Sequence, residues 1–169
     1  MQTVFWTSFD SPIGTVYVAS TKKGVCGITI PASTRSDFMS WLRKHFVGLD
    51  LVESRRENEK IVGEMKRYFG GKLSKFSCRL DLRGTKFQRK VWSQLRRVPY
   101  GTTISYKQLA HRVKSPEGFQ AVGRANATNP LPIVVPCHRV IGSDDDLVGY
   151  GAGIKTKEYL LRHEGALML

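Results

Sequence analysis

Three short runs rich in Val, Ile, Thr, Phe and Tyr fill residues 2–31, broken at Asp10-Ser11-Pro12 and at Lys22-Lys23-Gly24. Runs of that kind between turn residues predict an antiparallel meander. The period then changes. Behind Ser33 or Thr34, either a fair N-cap, residues 35–46 place Phe38, Leu42, His45 and Phe46 close to one face, and Gly48 ends the pattern. This predicts one helix covering the sheet. A second helix is predicted from about Glu57 to Phe69, stopped by Gly70-Gly71. Residues 1–75 therefore read as a small domain of sheet and helices, followed by a linker over 76–84.

From Leu82 onward helical patterns dominate. Thr85 with Gln88 forms a capping box ahead of a helix through Phe87, Val91, Trp92 and Leu95. Ser105 with Gln108 forms another, ahead of a short helix to about Val113, and Pro99-Tyr100-Gly101 supplies the turn between them. A third short helix is predicted from Pro116 or Glu117 to Thr128, and a last one from Thr156 to His163. The overall expectation is an α+β chain with a mostly helical domain over 85–169. Two short helices joined around Ser115 make a helix-turn-helix, although the same pattern fits an ordinary helical hairpin.

Charge bears on that choice. The chain has 169 residues with 27 Lys plus Arg against 14 Asp plus Glu, a formal charge of +13, which favours a polyanionic partner. Between Leu82 and Pro116 no acidic residue occurs, while Arg83, Lys86, Arg89, Lys90, Arg96, Arg97, Lys107, Arg112 and Lys114 accumulate. The third helix, Phe119-Gln120-Ala121-Val122-Gly123-Arg124, is crowded with small residues and carries Arg124 as its main cation. That suits close entry into a groove, with phosphate contacts left to the flanking basic helices. No apolar run approaches the roughly 20 residues of a membrane-spanning helix, and Met1 begins a strand-like segment rather than a signal sequence. No membrane association is expected, and the expected location is cytoplasmic, or nuclear in a eukaryote.

Three cysteines are too few and too widely spaced for a zinc ribbon or a disulfide scaffold. Cys26 and Cys78 lie in apolar surroundings and read as inert thiols, with a disulfide between them left open. Cys137 differs. It ends Asn129-Pro130-Leu131-Pro132-Ile133-Val134-Val135-Pro136-Cys137-His138, whose three prolines exclude a regular helix or a central strand and predict an ordered extended segment. A thiol there is inert unless something stabilises its thiolate. His138 is the obvious helper, but neighbours in an extended chain point to opposite sides, so a bridging water fits better than a direct bond. Glu164 is a candidate to orient His138.

Pro136-Cys137-His138-Arg139-Val140 resembles the active-site signature of the O6-alkylguanine-DNA alkyltransferases. So, in order and approximate spacing, do Phe87-Gln88-Arg89-Lys90-Val91-Trp92, Pro99-Tyr100-Gly101-Thr102-Thr103-Ile104-Ser105-Tyr106, Ala121-Val122-Gly123 and Leu160-Leu161-Arg162-His163-Glu164-Gly165. The N-terminal part resembles the family more loosely, through Asp10-Ser11-Pro12-Ile13-Gly14. The resemblance implies a ribonuclease H-like N-terminal domain, a winged-helix-like C-terminal domain, and direct reversal of O6-alkylguanine, with O4-alkylthymine a further candidate. It implies a single-turnover methyltransferase without cofactor or metal; the zinc ligands of some relatives are not matched. The implied partner is double-stranded DNA, entered by a monomer through the minor groove with the alkylated guanine flipped out.

By the same resemblance Cys137 is the alkyl acceptor, and His138, a water and Glu164 form the relay that generates its thiolate. Asn129 ties the active-site loop to the helix-turn-helix, and Tyr106 helps rotate the nucleotide and hydrogen-bonds the guanine. The carbonyls of Cys137 and Val140 accept from the guanine amino group, while Pro132 and Tyr150 line the pocket. Phe119, Gln120, Ala121, Gly123 and Arg124 are the implied DNA contacts. Two positions depart from the pattern: Gln120 stands where the family usually has an inserted arginine, and Gly151 where some members carry a serine. A non-catalytic module for alkylated bases is the competing reading, against which Cys137 argues. A thiol hydrolase would need an oxyanion hole and an acyl pocket that nothing in the sequence suggests.

Overall fold

The computed structural model describes residues 2–30, 33–142, 147, 150 and 153–167. The chain divides into two compact units that meet in sequence at Leu82 and Arg83. In the first, β1 (Thr3–Ser11), β2 (Gly14–Thr21) and β3 (Gly24–Thr29) form the expected meander, turning where the two breaks were read. A fourth strand, β4 (Asp50–Glu53), pairs in parallel with β1, giving the order β3-β2-β1-β4. It was not expected: four residues with Val52 43% exposed show no apolar alternation.

The helix α1 (Arg35–His45) starts at a Thr34 capping box and buries Phe38 and Leu42 against Val4, Trp6, Ala19 and Cys26 of the sheet. Phe46 joins that core, whereas His45 is exposed and stacks on Trp41. The second predicted helix begins as a 3-10 turn over Arg56–Asn58 and continues as α2 (Glu59–Phe69). Asn58 interrupts the helix because its buried amide donates to the carbonyls of Phe5 and Ser54 and accepts from Ser20 Oγ.

Residues 76–82, expected as part of a linker, are fastened to the first unit. The Glu64 carboxylate accepts from the amides of Ser77 and Cys78, both at 2.8 Å. Val25 and the 79–81 segment exchange main-chain bonds of 2.9 and 2.8 Å. These are main-chain bonds, which side-chain patterning does not encode. Gly24 makes the approach possible: its φ is +146°, and a Cβ there would lie 2.5 Å from the Arg79 carbonyl oxygen.

The second unit is largely helical, so the α+β class holds for the chain. Both capping boxes are formed, at the starts of α3 (Lys86–Leu95) and α4 (Tyr106–Arg112). Between these helices lies the two-residue β5 (Ile104–Ser105). Past a link in which Lys114 takes φ 58°, α5 (Phe119–Ala127) starts slightly later than predicted, behind Gly118. α3 braces α5 directly: Trp92 Nε1 donates to the Ala125 carbonyl at 2.7 Å, and Gln88 reaches Thr128 at 3.1 Å. β5 pairs in parallel with β6 (Val140–Ile141), which brings the start of α4 beside the chain just past Cys137. The last helix is α6 (Ile154–His163). Among the described residues no helix is long and apolar enough to cross a membrane.

A Gly24→Ala variant is expected to lose about 1–3 kcal/mol of stability through strain at positive φ and the clash with Arg79. Urea unfolding checks this; an unchanged midpoint would mean that the 79–81 segment yields freely.

Candidate active site

The segment from Asn129 to Arg139 is ordered, but it is not extended. Val135 N donates to the Leu131 carbonyl at 2.8 Å, Ile133 sits at φ 74°, and Cys137–Arg139 form one 3-10 turn. A β-branched residue at positive φ is costly and persists only where its surroundings over-determine it. Here Leu131, Ile133, Val134 and Val135 are all buried, and Asn129 closes the turn. Its Nδ2 donates to the Val135 carbonyl at 2.7 Å and its Oδ1 accepts from Leu131 N at 2.9 Å. Because Cys137 and His138 lie in a 3-10 turn, the opposite-sides argument drawn from an extended chain does not apply to them.

His138 is completely buried and its Nε2 lies 2.8 Å from Glu164 Oε1. Arg139 holds the same carboxylate twice, Nε to Oε2 at 2.8 Å and Nη2 to Oε1 at 2.9 Å, and donates from Nη1 to the Val98 carbonyl at 2.7 Å. Burial alone would raise the Glu164 carboxyl, but the hydrogen bonds and charges of His138 and Arg139 outweigh it and hold the group well below the usual carboxylate range. Glu164 is therefore ionised and can only accept, so Nε2 carries the His138 proton. Burial pushes the His138 pKa below its ordinary value, against the pull of Glu164, so the ring is neutral near pH 7. Its Nδ1 is then a buried lone pair, and no described residue hydrogen-bonds it.

Cys137 is 5% exposed, and burial pushes its thiol pKa up. Three neighbours oppose that rise: the polar side chains of Asn129 and Tyr150 and the charge of Lys157. Cys26 and Cys78 are also buried, and neither is in a disulfide. Burial together with the Glu64 carboxylate pushes Cys78 up to about 12, so that thiol is inert.

The structure brings the other expected residues together unevenly. Tyr106, the first residue of α4, is half-buried and 3.4 Å from Asn126 Nδ2, with its pKa raised by burial. The carbonyl of buried Val140 accepts from Lys157 Nζ at 2.6 Å. Pro132 is half-buried in the loop, and Gly151 lies outside the described residues. On α5, Phe119, Gln120 and Arg124 are exposed, while Ala121 and Gly123 are half-buried; a Cβ at Gly123 would meet open space.

Sequence reasoning gave no role to Arg139, Lys157 or Asn126. A signal existed for Lys157: with Leu160, Leu161 and Glu164 it falls at i, i+3, i+4 and i+7, one helical face, so a cation and an anion both lie on an apolar stripe. Burial of Asn126 follows the same logic beside Val122 and Ala125.

A buried thiol, a buried histidine–carboxylate pair that begins at the next residue, and two short helices joined by a tight link thus lie in one unit, the arrangement of a group-transfer protein that acts on DNA. Comparison with known proteins agrees. The family described as 6-O-methylguanine DNA methyltransferase matches through its DNA binding domain over residues 86–166 and through its ribonuclease-like domain over residues 4–82. A methylated-DNA–protein-cysteine methyltransferase of Methanosarcina barkeri is 37% identical over 161 residues, 95% of this chain and 97% of its own. The inducible one of Bacillus subtilis is 37% identical over 159 residues, 94% of this chain and 89% of its own. The crystal structure of Mycobacterium tuberculosis OGT in complex with DNA matches with a TM-score of 0.83 at 37% identity, covering 95% of this chain and 92% of that one. The chain belongs to the 6-O-methylguanine DNA methyltransferase family.

The sign of the acid response follows from Glu164. Its folded pKa is depressed, so its stabilisation is present above the ordinary carboxylate range and is lost as pH falls through and below it. Denaturant midpoints should fall below about pH 4.5. A Glu164→Gln variant should be about 3–5 kcal/mol less stable at pH 7, because Arg139 is left buried without its anion. It should also show a flatter acid limb; an equally steep one would place the titrating group elsewhere.

Proposed function

We propose that this protein repairs DNA by direct reversal of alkylation, moving the alkyl group from O6 of guanine to Cys137 Sγ once per protein molecule. The observation that carries this reading is the buried His138–Glu164 pair with a proton-accepting Nδ1, next in sequence to the buried Cys137 thiol. O4-alkylthymine is a second candidate substrate.

The chemistry balances as an in-line displacement. The Cys137 thiol gives its proton to His138 Nδ1 through a bridging water, and the resulting imidazolium is held by Glu164. The thiolate attacks the alkyl carbon, an S–C bond forms, and the C–O6 bond breaks with its electron pair going to the guanine. Tyr106 donates a hydrogen bond to the departing base, offsetting the developing charge. The product is a thioether that no residue nearby can cleave, so turnover stops there.

Access requires the guanine to leave the duplex, which costs a few kcal/mol and is cheapest for a weakly paired lesion. A monomer enters the minor groove with α5, Phe119, Gln120 and Arg124 facing the DNA and Ala121 and Gly123 allowing close approach. The flipped base sits against Pro132 and Tyr150, with the Cys137 and Val140 carbonyls accepting from its amino group. Asn129 couples groove entry to the position of Cys137 through its two loop bonds. The working location is the compartment that holds the DNA: the cytoplasm, or the nucleus in a eukaryote.

Intact-protein mass after mixing with a duplex containing one O6-methylguanine tests the reading. Wild type should gain one methylene unit, mapped to Cys137 at one per molecule, and Cys137→Ser should gain none. Tight binding with unchanged mass would make the protein a recognition module instead.

Gln120 lacks the charge and reach of a guanidinium in filling the space left by the flipped nucleotide. Gln120→Arg is expected to raise the rate on duplex lesions about tenfold relative to the rate on free O6-benzylguanine, on the scale of one charge-assisted hydrogen bond. Single-turnover kinetics on both substrates measure the ratio, and an unmoved ratio would sink the idea.

A further inference from the structure

The amide of Asn126 is 5% exposed, and neither the helix-turn-helix nor the relay accounts for a buried polar group on α5. Its Nδ2 faces two oxygens, the Cys137 carbonyl and the Tyr106 hydroxyl, each at 3.4 Å. Its Oδ1 is buried and meets no hydrogen-bond partner among the described residues. The orientation of the amide is fixed by chemistry. A carbonyl can only accept, so the atom facing Cys137 O must be the nitrogen. The same nitrogen then donates to Tyr106, whose hydroxyl accepts there and keeps its own proton for another partner.

We propose that Asn126 is a positioning residue for the alkyl transfer. By donating to Tyr106 Oη and to Cys137 O together, it fixes the Tyr106 hydroxyl as a donor towards the extruded base and ties that donor to the main chain carrying the nucleophile. A hydroxyl that already accepts one hydrogen bond is also a stronger donor in the next. Bracing reinforces the arrangement: the residue before Asn126 is held by Trp92 through the Ala125 carbonyl, and Asn129, one turn on, closes the active-site loop. Apart from Asn126, then, α5 has a second rigid link to the reaction centre. The inference rests on the reading that Tyr106 donates to the departing guanine.

A double-mutant cycle tests it, read by single-turnover transfer from duplex O6-methylguanine. Asn126→Leu, similar in volume and without donors, should slow transfer roughly tenfold in the wild-type background, the scale of one lost hydrogen bond. In a Tyr106→Phe background the same change should slow it less than about twofold, because the hydroxyl it orients is already gone. Asn126→Ser, smaller and still polar, is carried through the same cycle, so that a folding defect in the leucine variant does not decide the outcome. Equal losses in both backgrounds would mean that Asn126 only supports the fold and would overturn the proposal. So would a Tyr106→Phe rate equal to wild type; in that case mass gain on wild-type Cys137 would leave the transfer reading standing. Absence of that mass gain would instead remove the reading on which the proposal rests.

Discussion

The Glu164 carboxylate is the constraint on which the reaction centre depends. Two oxygens serve three donors from two neighbouring residues, His138 and Arg139, all of them buried. Sharing one anion between a neutral imidazole and a guanidinium does two things. Arg139 balances the charge, which makes burial of the carboxylate tolerable, and the leftover interaction fixes which nitrogen of His138 is protonated. The bidentate geometry also sets the direction of the 3-10 turn over Cys137–Arg139, since both side chains must reach the same group at the end of α6.

The loop ahead of Cys137 is held by different means. Proline removes donors, apolar side chains fill the interior, and Asn129 supplies the main-chain bonds that helix or sheet would otherwise provide. That combination tolerates Ile133 at positive φ. From the other side, the short β5–β6 pairing aligns the start of α4 with the chain beyond the nucleophile. Tyr106 and Cys137 are thus brought together by two residue pairs of sheet and one buried amide, rather than by a long element.

Much of this was legible in the residues. The meander, the cap at Thr34 and both capping boxes follow local chemistry, and local chemistry is what a sequence displays. The pairing of His138 with Glu164 could be suspected from residue type, but no spacing rule connects positions 26 apart. What escaped was of four kinds. β4 is too short and exposed to show a period. The attachment of residues 77–81 runs through main-chain bonds and one buried carboxylate. The coil of the active-site loop was read as extended because proline excludes helix without specifying the turn that replaces it. Arg139 was quoted within a motif yet given no task, since its partners are tertiary.

The division of labour along α5 bears on how such a protein can change over generations. Val122, Ala125 and Asn126 face inward and are bound to the fold, while Phe119, Gln120 and Arg124 face outward and touch little of it. Substitutions on the outer face alter what the helix meets without disturbing what holds it. Lineages can therefore explore grip on DNA at small cost in stability, whereas the inner face admits almost no experiment.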